Sequence, residues 1–170
     1  ILNQSMREFI FLILDDGSTD GTWEIIQSYA AKDQRIVAWR HEQNDGISQT
    51  RNDLITHAQT KYIAWQDSDD ISLPTRLEDQ CHFMETHPEV GMCGAYLEFF
   101  DEKGTQGVRK YALDDEALRA RMFRYSPVAQ PIAIIRKECF EGIAGYDPKW
   151  PGAEDLHMSF KIGRKWKLAN

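Results

Sequence analysis

Short apolar segments alternate with amphipathic segments over the first ninety residues of the chain. Phe9–Leu14, Arg35–Trp39 and Tyr62–Trp65 have the length and the continuous apolar character of buried strands. The segments between them have the period of helices, and strands linked by helices pair mainly in parallel within one sheet. The sequence therefore predicts an α/β fold with a largely parallel sheet.

Five helices are predicted from the spacing of apolar residues and from the residues at their ends. The predicted ranges are Thr22–Ala31, Ile47–Gln59, Leu73–His87, Asp114–Arg124 and Glu154–Lys165. Pro74 occupies a favoured first-turn position of the third helix, and His87-Pro88 closes that helix.

The second half of the chain is less regular. We expect a strand within Gly91–Phe100, a turn at Gly104–Gly107, a strand at Pro131–Ile135 and a helical turn near Lys137–Phe140. Gly142–Gly152 is rich in glycine and proline and is predicted to be a loop. Loops of this kind often carry functional residues on a rigid scaffold.

The composition excludes several classes of partner and of location. The formal net charge is −7 and no block of lysine and arginine occurs, so nucleic acid, which requires a basic face, is not an expected partner. No apolar segment approaches the about 20 residues of a membrane-spanning helix. Three cysteines without a CxxC pair favour a reducing compartment. We expect a cytoplasmic protein, or one that is peripheral at the inner face of the membrane in its full-length form.

The first acidic segment, Asp15-Asp16-Gly17-Ser18-Thr19-Asp20-Gly21-Thr22, directly follows the first predicted strand. Its glycines and capping residues suit a plain strand-to-helix turn. An EF-hand calcium loop does not fit, because Gln27 stands where a bidentate glutamate is required. In the functional interpretation, an aspartate at the strand end accepts a hydrogen bond from the imide N–H of a base. The segment alone leaves the turn and the site equally open.

The second acidic segment contains Asp67, Asp69 and Asp70 and follows the third predicted strand. A solvated loop would tolerate three carboxylates that repel one another. Ligands of parallel sheets, however, bind beyond the carboxyl ends of strands, where this segment is expected to lie. Asp67 and Asp69 would point the same way in an extended segment, and two oxygen ligands leave Mg²⁺ or Mn²⁺ with free sites for phosphate oxygens and water. The pattern favours a metal site over a solvated loop.

A third acidic pair, Glu154-Asp155, begins the last predicted helix after Gly152. Acidic residues in a first turn commonly stabilise the helix dipole by about 0.3–1 kcal/mol. A carboxylate beside a glycine-rich loop is equally suited to act as a general base. The pair is therefore a candidate for catalysis, with capping as the alternative.

Weaker candidates have equally good structural explanations. Arg51 could contact a base or phosphate, or could form a surface salt bridge. Gln130, Tyr146 and Trp150 could line an acceptor cleft or could simply pack. The isolated histidines, His41 and His157, have no ligand spacing and are assigned no chemistry.

Together, these segments resemble the family 2 glycosyltransferases. Asp15–Thr22 is similar to the signature of the family's second strand, and Asp67–Asp70 is similar to its DxD loop. Asn44-Asp45-Gly46 and Arg51-Asn52 resemble the family's N-x-G…A-R-N segment, with Thr50 in place of the usual alanine. Pro74, Arg76 and Leu77 resemble the start of the helix after the DxD loop. Gly145-Tyr146-Asp147 and Glu154-Asp155 resemble the G-G-[FY]-D…E-D segment. The matches occur in family order over the whole chain.

The resemblance implies a GT-A fold, which is a Rossmann-like three-layer α/β domain, and inverting transfer of a sugar from a nucleoside diphosphate such as UDP to an acceptor hydroxyl. It implies base recognition by Asp16, a metal and diphosphate loop at Asp67, Asp69 and Asp70, and a catalytic base at Asp155 with Glu154 beside it. Mn²⁺ or Mg²⁺ is the implied cofactor. The candidate substrate-binding residues are Asp15, Asp16, Asn44, Gly46, Arg51, Asp67 and Gln130.

The resemblance also implies a single partial domain that is truncated at both ends. Residues 1–100 would form the nucleotide-sugar-binding half and residues 101–170 the acceptor and catalytic half. The family's first strand lies upstream of Ile1, so an open sheet edge is expected, through which two chains could pair as a dimer. The expected acceptor is a sugar, a lipid-linked molecule or a glycan in cell-surface polysaccharide or glycoconjugate synthesis. The alternatives are a catalytically impaired nucleotide-sugar-binding fragment and a sugar nucleotidyltransferase.

Overall fold

Strands and helices alternate through the first ninety residues, as the sequence predicts. The computed structural model describes all residues from 1 to 170. Its strands are β1 (Phe11–Asp15), β2 (Ile36–Arg40), β3 (Tyr62–Ala64), β4 (Val90–Cys93), β5 (Leu97–Asp101), β6 (Gly104–Arg109), β7 (Ile134–Arg136) and β8 (Lys167–Ala169). Its helices are α1 (Thr22–Ala30), α2 (Ile47–His57), α3 (Arg76–Thr86), α4 (Asp115–Arg121) and α5 (Glu154–Gly163), with 3-10 turns at Gln130–Ile132 and Lys137–Phe140.

The strands form three separately hydrogen-bonded groups. β1 and β2 pair in parallel, and β5 and β6 form an antiparallel hairpin. The central sheet has the order β3-β7-β4-β8, in which β4 and β8 are parallel and β7 is antiparallel to both of its neighbours. The fold is therefore α/β with mixed strand directions, and β7 and the hairpin account for the antiparallel pairings. β3 and β4 come from residues 1–100 of the chain, and β7 and β8 come from residues 101–170. The two parts therefore contribute strands to the same sheet.

Several elements differ from the predictions. The strand expected at Pro131–Ile135 is a 3-10 turn at Gln130–Ile132 followed by β7, and two strands, β4 and β5, lie where one was expected within Gly91–Phe100. The third helix begins at Arg76 and not at Leu73, so Pro74 lies before it.

The expected turn at Gly104–Gly107 is wrong, because these residues belong to β6 and the chain reverses just before Gly104, whose φ is 104°. All six residues of β6 are exposed, so no apolar alternation marks this strand in the sequence. β8 was not predicted, since three residues are too few to show a period of two.

The main core lies between the central sheet and helices α4 and α5. Its members include Trp65, Met92, Leu118, Met158 and Ile162. On α5, Leu156 and Phe160 are only half-buried. Glu154, Met158 and Ile162 are four residues apart, and this row faces inward. No helix combines the length and the apolar character that a membrane crossing requires.

An open groove separates β1 from β3. A cavity of 690 Å³ is lined by Ile10 and Phe11 on one side and by Tyr62, Ala64 and Trp65 on the other, with α3 beneath them. β1 pairs only with β2, and β3 pairs only with β7, so each strand presents an unpaired edge. Both edges are therefore free to pair with a further strand.

We expect a longer chain that extends upstream of Ile1 to fill this groove with an added strand. Pairing both edges and burying apolar surface should raise the melting temperature by several degrees, since each kcal/mol is worth about 2–4 °C in a domain of this size. The chain of 170 residues should form dimers or larger species through the open edge, and the longer one should not. Thermal melts and sedimentation measure both effects. A longer chain with the same melting temperature and the same association would show that no strand binds there.

Candidate functional site

The start of helix α2 is fastened to the end of β1. The backbone N–H groups of Asp45 and Gly46 donate to the Asp16 carboxylate at 3.0 and 2.9 Å. Gly46 has a φ of 86°, a left-handed conformation that favours glycine. Gly17 is also required, because a Cβ there would lie 2.7 Å from the carbonyl carbon of Gln43. The loop before α2 and the turn after β1 therefore form one unit.

The two adjacent aspartates of the first acidic segment have different surroundings. Asp15 is only 4% exposed and accepts a hydrogen bond from the Ser18 N–H at 3.0 Å. Arg40 Nε lies 3.1 Å from the other Asp15 oxygen, although without hydrogen-bond geometry. Asp15 therefore stabilises the turn. Asp16 is less buried, and its Oδ2 accepts the Gly46 N–H at 2.9 Å. A carboxylate oxygen can accept more than one hydrogen bond, so this oxygen can also bind a ligand.

His41 connects two aspartates, a role that its isolation in the sequence did not indicate. Its Nδ1 lies 2.8 Å from Asp16 Oδ1 and its Nε2 lies 3.0 Å from Asp53 Oδ2. The hydrogen bond with Asp16 raises the pKa of His41. Burial alone would raise the pKa of Asp16, but its hydrogen bonds with His41 and with the backbone of Asp45 and Gly46 lower that pKa. His41 thus holds Asp16 ionised and in place.

Asp67, Asp69 and Asp70 lie close together in the turn after β3. One oxygen from each residue can be chosen so that all three lie within 4.8 Å of one another. Burial raises the pKa of Asp67; Arg51 opposes this shift, and the charges of Asp70 and Asp69 add to it. Hard oxygen ligands grouped on one side, with solvent on the other, fit Mn²⁺ or Mg²⁺. A bound cation would also relieve the repulsion among the three carboxylates.

A cavity of 370 Å³ borders this turn. Its walls include Gln66, Asp67 and Asp70 on one side and Gln4 and Phe11 on the other. This volume lies within the range of about 300–1,000 Å³ that is common for small-molecule sites. The turn therefore has space beside it for a ligand.

Arg51, on α2, forms a buried ion pair with Glu154, on α5. Arg51 Nη1 lies 3.0 Å from Glu154 Oε1, and both side chains are about one-tenth exposed. The guanidinium also lies 5.3 Å from the ring centre of Tyr146 and 5.9 Å from that of Trp65. The ion pair fixes Glu154 at the start of α5, and the other carboxylate oxygen, Glu154 Oε2, is buried without a hydrogen-bond partner.

Of the two adjacent carboxylates Glu154 and Asp155, only Asp155 has no cationic partner. It is half-buried in the first turn of α5, and its Oδ1 accepts the Leu156 N–H at 2.6 Å. It lies near enough to Tyr146 for its charge to affect the pKa of that phenol, which burial raises strongly. Asp155 is thus available to accept a proton beside the Arg51–Glu154 pair.

Gln130 and Tyr146 pack behind Arg51 and are buried. Gln130 Nε2 donates to the Tyr146 hydroxyl at 2.6 Å, and Gln130 Oε1 has no partner. Trp150, in contrast, is half-exposed and lies 5.1 Å from the ring of His157. Of the residues considered for an acceptor cleft, Trp150 is the one that faces solvent.

Asn52 joins α2 to the loop before α5. It donates to the Tyr146 carbonyl oxygen at 2.9 Å and accepts from the Tyr146 N–H at 2.6 Å. A Cβ at position 145 would lie 2.1 Å from Asn52 Oδ1, so Gly145 permits this close approach. The loop that leads to Asp155 is therefore held by a side chain of α2.

The structure places the predicted residues in two groups that share α2. The first group surrounds the end of β1 and contains Asp15, Asp16, Asn44 and Gly46. The second group lies around Tyr146 and contains Arg51, Gln130, Glu154 and Asp155. Arg51 is also near enough to Asp67, in the acidic turn, for its charge to act on the pKa of that carboxyl. No hydrogen bond or ion pair joins Asp15 or Asp16 to the acidic turn. In the sequence, Trp65 is marked only as the end of a predicted strand and Asn52 only as part of a motif.

Comparison with protein families gives the assignment. The model described as Glycosyl transferase family 2 matches residues 1–143. The chain belongs to this family. The expected family is thereby confirmed, and the matched residues end before Glu154 and Asp155.

Two curated proteins have sequences similar to this family 2 glycosyltransferase. EpsE of Bacillus subtilis, named as a candidate glycosyltransferase, is 34% identical over 147 residues, covering 86% of this chain and 52% of EpsE. WfaP of Escherichia coli, a UDP-Glc:α-D-GlcNAc-diphosphoundecaprenol β-1,3-glucosyltransferase, is 30% identical over 143 residues, covering 84% of this chain and 55% of WfaP. The chain spans about half the length of these relatives.

Solved glycosyltransferases share the fold. The structure of Staphylococcus aureus TarS in complex with UDP-GlcNAc has a TM-score of 0.78 at 21% identity and covers 98% of this chain and 48% of that one. The Pyrobaculum calidifontis mannosyltransferase in complex with GDP-Man and Mn²⁺ has a TM-score of 0.75 at 18% identity and covers 99% of this chain and 47% of that one. The predicted GT-A fold is confirmed.

Proposed function

We propose that this chain is the donor-binding and catalytic part of an inverting glycosyltransferase that uses a nucleoside diphosphate sugar. The contacts of Arg51 carry the proposal: it pairs with Glu154, lies over the ring of Tyr146 and is near enough to Asp67 for its charge to act on the pKa of that carboxyl. They support one centre that combines a turn suited to a metal, an ion pair and, in Asp155, a carboxylate without a cationic partner. Uridine is the proposed base, since WfaP is named for a UDP-glucose donor and TarS is described with UDP-GlcNAc.

In this proposal, the donor extends between the two groups of residues that α2 connects. Asp16 Oδ2 accepts the imide N–H of the base, and the Asn44–Gly46 loop lies beside the nucleoside. Asp67, Asp69 and Asp70 would hold Mn²⁺ or Mg²⁺, which when bound would supply positive charge to offset the negative charge of the diphosphate leaving group.

Transfer is then a single displacement at the anomeric carbon. The acceptor oxygen forms a bond to this carbon while the bond to the diphosphate oxygen breaks, and the electron pair leaves with the nucleoside diphosphate. Asp155 accepts the proton of the acceptor hydroxyl, because a free hydroxyl is a weak nucleophile. Arg51 holds Glu154 beside it, and Asn52 fixes the approach of the loop, so much of the rate enhancement comes from positioning.

The proposed acceptor is a sugar hydroxyl on a lipid-linked molecule or a glycan. WfaP is named for a diphosphoundecaprenol-linked acceptor, which supports the lipid-linked class and a place in cell-surface polysaccharide or glycoconjugate synthesis. Such an acceptor would bring the whole protein to the inner face of a membrane.

We expect UDP or a UDP-sugar to raise the melting temperature only when Mn²⁺ is present. At a ligand concentration of about 100 times Kd, the gain is about 2.7 kcal/mol, or roughly 5–10 °C for a domain of this size. The matched sample contains EDTA in place of Mn²⁺. Equal shifts in both samples would contradict the metal-assisted mechanism.

Release of a nucleoside triphosphate on addition of pyrophosphate would instead indicate a nucleotidyltransferase. Binding of the nucleotide sugar without sugar release or transfer would indicate an inactive fragment.

A further inference from the structure

Arg76, in the first turn of α3, bonds to groups on both sides of the acidic turn. Its Nη2 donates to the Trp65 carbonyl oxygen at 2.6 Å, just before the turn. Its Nη1 donates to Gln66 Oε1 at 3.0 Å and to Ser72 Oγ at 2.8 Å, on the far side of the turn. Its Nε donates to Gln80 Oε1, one helical turn further along α3, at 3.1 Å. One planar guanidinium thus ties the end of β3, the exit of the turn and α3 together.

Gln66 extends this network into the turn itself. Its Nε2 donates to the carbonyl oxygens of Asp67 and Asp70, both at 2.9 Å. The Asp70 N–H also donates to the Asp67 carbonyl oxygen at 3.3 Å, which closes the turn. Gln66 Oε1 is in turn fixed by Arg76 and Ser72. The backbone that carries the three carboxylates is therefore held at both ends by one amide, and this amide is held by Arg76.

Arg76 supplies charge without occupying the carboxylate oxygens. Burial lowers the pKa of Arg76 to about 10, so the side chain remains charged at neutral pH. No Asp67, Asp69 or Asp70 oxygen forms an ion pair with it. Its positive charge therefore favours the assembly of the three aspartates while their oxygens stay available for a ligand.

We infer that Arg76 is the positioning residue of the acidic turn, and that it sets the affinity of Asp67, Asp69 and Asp70 for a divalent cation through Gln66. The inference rests on the proposed function, because it requires that the turn binds the cation. Groups that orient metal ligands commonly change metal affinity by about 10–100-fold when they are removed.

Arg76→Lys tests this role, because lysine keeps the charge but cannot span the four acceptors. Arg136 is a matched control: like Arg76 it donates several hydrogen bonds through its guanidinium, here to the backbone carbonyls of Val90, Met84 and His87 near the far end of α3. Both lysine variants should lose stability, measured by thermal melts. Titration of Mn²⁺ alone, followed by the electron paramagnetic resonance of the free ion, should show at least about tenfold weaker binding for Arg76→Lys only.

Gln66→Leu provides a second variant if Arg76→Lys does not fold, and it should also weaken Mn²⁺ binding. Unchanged Mn²⁺ affinity in the Arg76 and Gln66 variants would overturn the positioning role and leave the metal site standing. An equal loss in Arg136→Lys would also overturn it, since the effect would then follow general stability. Absence of Mn²⁺ binding by the unchanged protein would reject the proposed metal site and, with it, the role of Arg76.

Discussion

Asp155→Asn is expected to lower the rate of sugar transfer in the full-length enzyme by about 10²-fold or more. Asparagine keeps the shape of the side chain and can still accept the Leu156 N–H, but it cannot take a proton. Nucleotide affinity should hardly change, because the acidic turn and Arg51 are untouched. The change should therefore lower kcat much more than it alters donor binding.

Asp114→Asn is the matched control, since Asp114 caps helix α4 by accepting the Ala117 N–H at 2.9 Å. If Asp155 served only as a helix-end residue, both variants would lose a little stability and keep their activity. Measurements of kcat, nucleotide affinity and melting temperature on the two proteins distinguish these cases. Full turnover by Asp155→Asn would remove Asp155 from the mechanism.

Asp69→Ala should abolish most of the Mn²⁺-dependent stabilisation by UDP. Removal of one of the three grouped oxygens leaves fewer ligands for the cation, and we expect nucleotide affinity in Mn²⁺ to fall by at least about tenfold, or about 1.4 kcal/mol. The protein without ligand should not become less stable, because the change also relieves repulsion between carboxylates.

Asp114→Ala should show the opposite behaviour in the same assay. Loss of the helix cap costs about 1 kcal/mol and lowers the melting temperature, but the increment produced by UDP and Mn²⁺ should remain. Isothermal titration in Mn²⁺ and in EDTA measures the two contributions separately. An Asp69→Ala protein that keeps its full response to Mn²⁺ would show that Asp69 is not a ligand.

The strands that precede the acidic residues were predictable because each is a continuous apolar run. β1, β2 and β3 lie within two residues of their predicted bounds, and the position of Asp67 after β3 follows directly. β6 was not predictable, since an exposed hairpin strand shows no hydrophobic pattern. The antiparallel direction of β7 also leaves no mark in three residues.

The partners of the site residues were harder to predict than the residues themselves. Arg51 and Glu154 are 103 positions apart, and nothing in either segment indicates that they form a pair. His41 is isolated in the sequence, although two aspartates surround it in the fold. Such contacts depend on how α2 packs between distant segments, which local patterns do not encode. The side chains that support a site are therefore less predictable than those that carry its chemistry.

In the proposed function, helix α2 would connect the contacts at the two ends of the donor. Gly46 contacts Asp16, and Arg51 contacts Glu154 about 7.5 Å further along the same rigid helix. A base that fits poorly against Asp16 would shift this helix. The shift would also move the Arg51–Glu154 ion pair that lies beside Asp155. Discrimination among nucleotides would then act on the speed of transfer as well as on occupancy, so an incorrect donor could bind and still react slowly.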